Sequence, residues 1–280
     1  MKKIVVATDF SPTAFNAAKY AAYMAMAVKA ELTLFHVYAI PAVYSEMPTA
    51  VNTEEMRLVA EKKMNELVAQ LKAETRGWVQ AQTEIRMGGF YQELKSVCEY
   101  LQPYAVVMGN RSTTTKERLL FGNYAVYAMK HLPWPLITVP PSAAFLAVRK
   151  IGLVCDLDKA TDDTPIDEIK MMVHDFKAEL HVLNIGKERI FDPNTVFEPD
   201  RIQNILEDLR PIYDYVTDAN TDECILQFAK ENNIDLLLIL PKRASFFETL
   251  VHKNNIKHFV LHSHVPVMAL HLAIDTDHSS

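Results

Sequence analysis

The sequence predicts an α/β protein built from two doubly wound, mostly parallel five-stranded sheets. Its strand-like segments are short, continuous apolar runs, which is typical of strands that are buried on both faces of a parallel sheet. Helix-like segments separate them, and right-handed crossovers of this kind produce an open sheet covered by helices on both faces. The same order of segments occurs twice along the 280 residues.

The elements of the first half follow from local pattern and composition. Five apolar segments predict strands, and an alanine-rich segment and three amphipathic or mixed segments predict helices. Asn52, followed by Thr53 and two glutamates, is a favourable helix start. The predicted strands are 4–8, 32–38, 82–87, 104–109 and 135–139, and the predicted helices are 13–30, 52–74, 92–101 and 124–132.

The second half repeats the first. The segment KIVVATDFS at 3–11 resembles KIGLVCDLD at 150–158, and AELTLFHV at 30–37 resembles AELHVLNI at 178–185. The second half is shorter between its second and fourth strands. Such a repeat indicates one duplicated domain, with a boundary in the proline-containing segment 139–150.

Candidate ligand-binding residues lie where strands end. Parallel sheets of this type bind ligands at the carboxyl ends of their strands, near the point where the strand order reverses. Thr8 and Asp9 end the first strand, Val37 ends the second, and Gly109 ends the fourth. Gly122 and Asn123 are expected at the start of the last helix of this half, where free backbone N–H groups favour phosphate.

Asp9 has more than one interpretation from sequence alone. With Thr8 and Ser11 nearby, it has the chemistry of an acid/base group. It also suits a helix cap before Pro12, or a carboxylate that orients the ribose of a ligand. The cap or the ribose contact is favoured.

Four sequence segments resemble those of universal stress protein domains. They are ATDFSPTA at the first strand, LFHV at the second, VVMGN at the fourth, and the final FGNYA…LPWPLITV. The resemblance covers 1–141 and 149–272, so it implies two such domains in tandem. It also implies a Rossmann-like fold of the adenine nucleotide alpha hydrolase-like type.

The resemblance implies an ATP site in the first domain. Family members that bind ATP carry a glycine, two residues, a second glycine, nine residues, and then a glycine with Ser or Thr. Here Gly109 and Gly122 keep the outer glycines, Ser112 replaces the middle one, and Asn123 replaces the hydroxyl residue. The implied nucleotide-binding set is Thr8, Asp9, Val37, Met108, Gly109, Arg111, Ser112, Gly122, Asn123 and Tyr124.

The second domain departs further from the motif. Its corresponding positions are Leu240, Arg243, Lys253 and Asn254, so no glycine of the motif remains. The expectation is therefore ATP, with Mg²⁺ accompanying it, in the first domain only. The open alternative is a nucleotide-free adaptor that acts through contacts with an unknown protein partner. The sequence has no G-x-S-x-G elbow, no P-loop and no metal-ligand helix motif, so the protein is expected not to be an enzyme, although slow ATP hydrolysis is compatible with nucleotide binding.

Composition and charge narrow the environment and the partners. Basic residues outnumber acidic ones in 1–140, whereas the whole chain carries a net charge of −6. This balance argues against a nucleic-acid partner. The apolar runs are too short for a signal peptide or a membrane span, and the three cysteines fit no disulfide framework or zinc signature. A cytoplasmic protein with no membrane association and no metal site is expected.

The repeat also predicts how the halves pack. The resemblance implies that single-domain relatives pair through their last strands. The segments 135–139 and 266–270 are therefore expected to lie antiparallel beside each other, forming an intramolecular pseudo-dimer that covers two sheet edges. A homodimer of such chains is a further expectation from the resemblance.

Overall fold

The structure is a computed structural model that describes residues 1–38, 52–110, 118–155, 165–185, 205–216, 221–240, 260 and 262–271, with only the backbone of 118–123 and 221. Within these ranges ten strands form a sheet: β1 Lys3–Ala7, β2 Glu31–Tyr38, β3 Ala81–Met87, β4 Ala105–Gly109, β5 Leu136–Val139, β6 Lys150–Cys155, β7 Glu179–Ile185, β8 Ile212–Val216, β9 Leu236–Ile239 and β10 Val267–Ala269. The helices are α1 Pro12–Val28, α2 Thr53–Glu74, α3 Phe90–Leu101, α4 Arg118–His131, α5 Ile166–Phe176 and α6 Thr221–Glu231, with a 3-10 helix at Glu207–Leu209.

The strand order confirms the doubly wound fold and the antiparallel pairing of the last strands. The order is β3-β2-β1-β4-β5-β10-β9-β6-β7-β8. Every neighbouring pair is parallel except β5 and β10, where Ile137 lies opposite Met268. Because this pair joins the two predicted five-stranded parallel sheets edge to edge, they form one continuous ten-stranded sheet. Counted outward from the junction, both halves have the same strand order: β10-β9-β6-β7-β8 corresponds to β5-β4-β1-β2-β3.

Helix α1 packs closely on the sheet because its inner face is nearly all alanine. Ser11 caps the helix through a hydrogen bond from the backbone N–H of Ala14 to its Oγ atom at 3.2 Å, and Pro12 begins the first turn. Lys29 ends the helix in the left-handed conformation, with a φ of 55°. The buried side chains of α1 include Ala14, Ala17, Ala18, Ala21, Ala22 and Ala25.

Of the other helices in the first half, α2 begins where the sequence predicted and α4 does not. The predicted N-cap Asn52 is confirmed, since its side chain accepts the backbone N–H of Glu55 at 3.2 Å. The predicted start of the last helix near Gly122 is wrong, because α4 begins at Arg118. The segment before Gly122 carries no proline that would stop a helix from beginning earlier.

Side chains from both halves hold the junction together beyond the β5·β10 pair. Tyr104 donates its hydroxyl to the sulfur of Met172 at 2.9 Å. Lys2 forms an ion pair with Asp175 on α5. The buried side chains form two apolar clusters, and each cluster contains residues of both halves. Among the described helices, none is long and apolar enough to cross a membrane.

Candidate functional site

The carboxyl ends of β1 and β4 meet at the point where the strand order of the first half reverses. The chain leaves β1 to form β2 on one side, whereas β4 lies on the other. A pocket of about 20 Å³ lies there, beside the first turn of α1. Its volume suits about one water molecule. The lining residues are Ala7, Asp9, Ser11, Thr13, Ala14, Met108 and Gly109.

Two local hydrogen bonds from backbone N–H groups to side chains stabilise the turn between β1 and α1. Thr8 is buried, and its Oγ1 atom accepts the backbone N–H of Phe10 at 3.0 Å. Asp9 accepts the N–H of Ser11 through Oδ1 at 3.0 Å. The expectation that Asp9 caps α1 is wrong, because Ser11 is the capping residue. Through this hydrogen bond Asp9 holds the backbone of the capping residue Ser11, and Asp9 also lines the pocket.

Gly109 allows β4 to approach α1. A Cβ atom at this position would lie 2.9 Å from the backbone oxygen of Thr13 and 3.0 Å from its carbonyl carbon. Real Cβ atoms essentially never approach backbone atoms this closely. The glycine therefore has a packing role in this part of the chain, whatever else it does.

The remaining predicted residues divide between the described part of the chain and the rest. Val37 and Tyr124 lie on the α3 side of the sheet: Val37 packs against the apolar cluster there, and the ring of Tyr124 is 5.1 Å from that of Phe90. Gly122 and Asn123 lie inside α4, of which only the backbone is described at these positions. Arg111 and Ser112 lie outside the described residues.

The structure therefore brings together part of the predicted set. Asp9, Met108 and Gly109 line one pocket, and Thr8 is buried at its side. In the second half Leu240 is buried directly after β9, and its predicted companions Arg243, Lys253 and Asn254 lie outside the described residues.

A larger cleft, which the sequence did not predict, lies on the α2 side of the same sheet edge. It measures about 420 Å³, and we call it the α2 cleft. Small-molecule sites are commonly ~300–1,000 Å³. The lining residues are Asp9, Phe10, His36, Tyr38, Asn52, Glu55, Met56, Val59, Ala60 and Lys63. The cleft has no local sequence pattern, because its lining comes from three elements that are distant along the chain.

His36 and Phe10 form the inner wall of the α2 cleft. Their ring centroids are 4.3 Å apart, and the Nζ atom of Lys63 lies 5.8 Å from the centre of the Phe10 ring. The Nδ1 atom of His36 is 2.8 Å from the backbone oxygen of Thr8. Burial lowers the pKa of His36 below its usual value and Lys63 acts in the same direction, although the Thr8 carbonyl and the Asp9 charge oppose them. The imidazole is therefore neutral at pH 7, with its proton on Nδ1.

Comparison with known proteins supports the family resemblance. The model of the universal stress protein family matches residues 1–140. Universal stress protein MJ0531 of Methanocaldococcus jannaschii is 27% identical over 139 residues, which is 49% of this chain and 81% of that protein.

Solved structures match along nearly the whole chain. A universal stress protein from Archaeoglobus fulgidus superimposes with a TM-score of 0.71 at 15% identity, covering 98% of this chain and 97% of that one. A putative universal stress protein from Pseudomonas aeruginosa does so with a TM-score of 0.62 at 12% identity, covering 97% and 94%. At these identities the structures show a common fold alone. Because the family model matches half of the chain, the chain belongs to the universal stress protein family.

Proposed function

We propose that this chain is a stress-response binding protein with two universal stress protein domains in tandem, 1–141 and 149–272. In this proposal the first domain binds ATP or a related adenine nucleotide. One observation carries it: Asp9, Met108 and Gly109, which are distant in sequence, meet in one pocket where the strand order reverses. This is the edge at which doubly wound sheets bind their ligands.

The described residues fit the part of a nucleotide nearest the sheet. Asp9 has a carboxylate at the pocket rim for a ribose hydroxyl, and Gly109 presents backbone without a side chain. The phosphates would be held by the segment between β4 and α4, to which Arg111, Ser112, Gly122 and Asn123 belong. Mg²⁺ accompanying ATP would be held through the phosphates, because Asp9, the one acidic residue that lines the pocket among the described residues, is assigned to the ribose.

The second domain is proposed to have lost the nucleotide site. The glycine after β4 is replaced by Leu240 after β9, a buried side chain where close backbone approach would be required. The protein as a whole is proposed to act in the cytoplasm by binding and not by catalysis, with nucleotide occupancy altering its affinity for a protein partner.

A second candidate function is a nucleotide-free adaptor. The observation that favours it is the size of the pocket, about 20 Å³, which reflects the tight packing of Gly109 on Thr13. In this reading Gly109 serves the fold alone, and the partner is an unidentified protein or a second copy of the chain.

The experiment that decides between them begins with what co-purifies. Freshly purified protein is denatured, and the supernatant is analysed by nucleotide-resolving chromatography with mass detection. The proposal expects up to one adenine nucleotide per chain. Titration calorimetry with ATP and magnesium then compares the wild type with Gly122→Val, which should lose binding, and with Tyr127→Phe, a control in the same helix more than one turn away. A clean supernatant with no heat of binding would establish the adaptor instead.

A further inference from the structure

We propose that the α2 cleft is a second ligand site, for an uncharged planar aromatic molecule that carries an N–H donor. The cleft has the volume of a small-molecule site, about 420 Å³. It has an aromatic wall, an apolar lining and a histidine ring whose Nε2 atom is a hydrogen-bond acceptor. The inference concerns this cleft alone and does not depend on whether the first domain binds a nucleotide.

Three residues of the proposed nucleotide set, Val37, Met108 and Tyr124, lie on the α3 side of the sheet, whereas the cleft lies on the α2 side. Side chains alternate along a strand. On β2, Phe35 and Val37 face the cluster packed on α3, whereas His36 and Tyr38 face α2 and line the cleft. Asp9 lies at the strand end and borders both pockets. A ligand in the α2 cleft therefore has its own contacts.

Phe10 supplies the stacking surface in an unusual backbone conformation. Its φ is 63°, a left-handed value that is rare for a bulky side chain. The hydrogen bond from its N–H to Thr8 holds this conformation. The Phe10 ring is tilted against that of His36, with ring centroids 4.3 Å apart, and the ammonium group of Lys63 lies 5.8 Å from the centre of the Phe10 ring. Backbone strain of this kind occurs at ligand-binding sites.

His36 supplies the specific polar contact. Because Nδ1 binds the carbonyl of Thr8 at 2.8 Å, Nε2 is the ring nitrogen that remains for the cleft. Burial keeps the ring neutral, so Nε2 is an acceptor and not a donor. Among the described residues no hydrogen bond to Nε2 is formed. An N–H group at the edge of a planar ligand would satisfy it while the ligand ring packs on Phe10.

The charges around the cleft disfavour an anionic ligand. Two carboxylates, Asp9 and Glu55, and one ammonium, Lys63, line it, so an anion would meet a net negative wall. Met56 and Val59 on α2 form the apolar wall opposite the aromatic pair. A neutral ring buries apolar surface there without leaving a charge unpaired.

The test uses indole as the probe, because it is planar, uncharged and carries one N–H. Binding to the full chain is measured by calorimetry or by ligand-observed NMR, against 1-methylindole, which lacks the donor. We expect indole to bind at least about fivefold more tightly than 1-methylindole, the effect of one hydrogen bond to a buried acceptor. Equal affinity of the two compounds, or no binding of indole, would overturn the proposal.

Two variants and one control locate the site. His36→Phe keeps an aromatic ring but removes the acceptor, so it should abolish the preference for indole over 1-methylindole. Phe10→Leu should weaken both compounds to a similar degree. Tyr127→Ala removes an exposed aromatic ring that stacks on His131 elsewhere on the surface, and it should leave both affinities unchanged. A loss with Tyr127→Ala and none with His36→Phe would place indole outside the cleft and refute the inference. If a variant fails to fold, the difference in affinity between indole and 1-methylindole for the wild-type protein still tests the proposal.

Discussion

Replacing Gly109 by alanine is expected to destabilise the first half of the protein. The added Cβ would lie 2.9 Å from the oxygen of Thr13, 3.0 Å from its carbonyl carbon and 3.1 Å from its Cγ2 atom. The two closest atoms belong to the backbone of α1, which cannot rotate away. Overpacking of this kind costs about 1–3 kcal/mol. The reduced freedom of the unfolded chain offsets about 0.4–1 kcal/mol of that cost. We therefore expect a net loss of about 1–2 kcal/mol, seen in urea unfolding as a lower midpoint with an unchanged slope.

Two further variants test whether the backbone of Thr13 is the cause. At Gly152 a Cβ would meet only the ends of three side chains, those of Leu237, Ile234 and Phe228, at 3.0–3.1 Å. Because side chains can shift, Gly152→Ala should cost less than Gly109→Ala. Thr13→Ser removes Cγ2 but leaves the carbonyl, so it should rescue Gly109→Ala only slightly. If Gly109→Ala is as stable as the wild type, or if Thr13→Ser restores it fully, the packing argument is refuted.

Two other predictions concern the side-chain amide of Asn16 and the buried thiol of Cys98. Asn16 donates its side-chain amide to the carbonyl oxygens of Pro140 and Ala143 at 3.1 and 2.9 Å, so Asn16→Ala should cost about 1–3 kcal/mol and make the segment between the halves easier to cleave in limited proteolysis. Unchanged proteolysis and stability would show that these bonds do not hold the linker. Burial raises the pKa of Cys98 to about 12, with a smaller effect of the Glu99 charge. Its thiol is therefore about one ten-thousandth ionised at pH 8 and should react with a thiol reagent only after unfolding, and rapid labelling of the folded protein would contradict this.

Much of the fold could be predicted because local pattern and tertiary structure agree. The apolar run at 4–8 and the helix capped by Asn52 lie within one residue of β1 and α2. The repeat then predicted the antiparallel pair β5·β10, because two equivalent edges would otherwise stay exposed. What the sequence did not predict is the register of this pair, in which Ile137 lies opposite Met268, because register depends on how the two edges meet.

The candidate site was predictable only in part. Strand ends could be assigned from sequence, and Asp9, Met108 and Gly109, which lie at such ends, line one pocket of the structure. The cap at Ser11 was missed because Asp and Ser two residues apart are both good caps, and only the backbone path chooses between them. The α2 cleft was missed because Lys63 and His36 come together only through the crossing of α2 over β2.

A substitution at Gly122 distinguishes a role in ligand binding from a role in packing more clearly than a substitution at Gly109 does. Its place inside α4 is unfavourable for a glycine, which is about 0.5–1 kcal/mol less stable than alanine in a helix interior. If the position serves a nucleotide, Gly122→Ala should raise the free energy of unfolding by about that amount in urea, while the affinity for ATP in calorimetry falls. If the position serves close packing, the same variant should lower the free energy of unfolding, as expected for Gly109→Ala. Higher stability with unchanged ATP affinity would remove the third glycine of the motif from the nucleotide site, and the phosphates would then be held by other residues of the first domain.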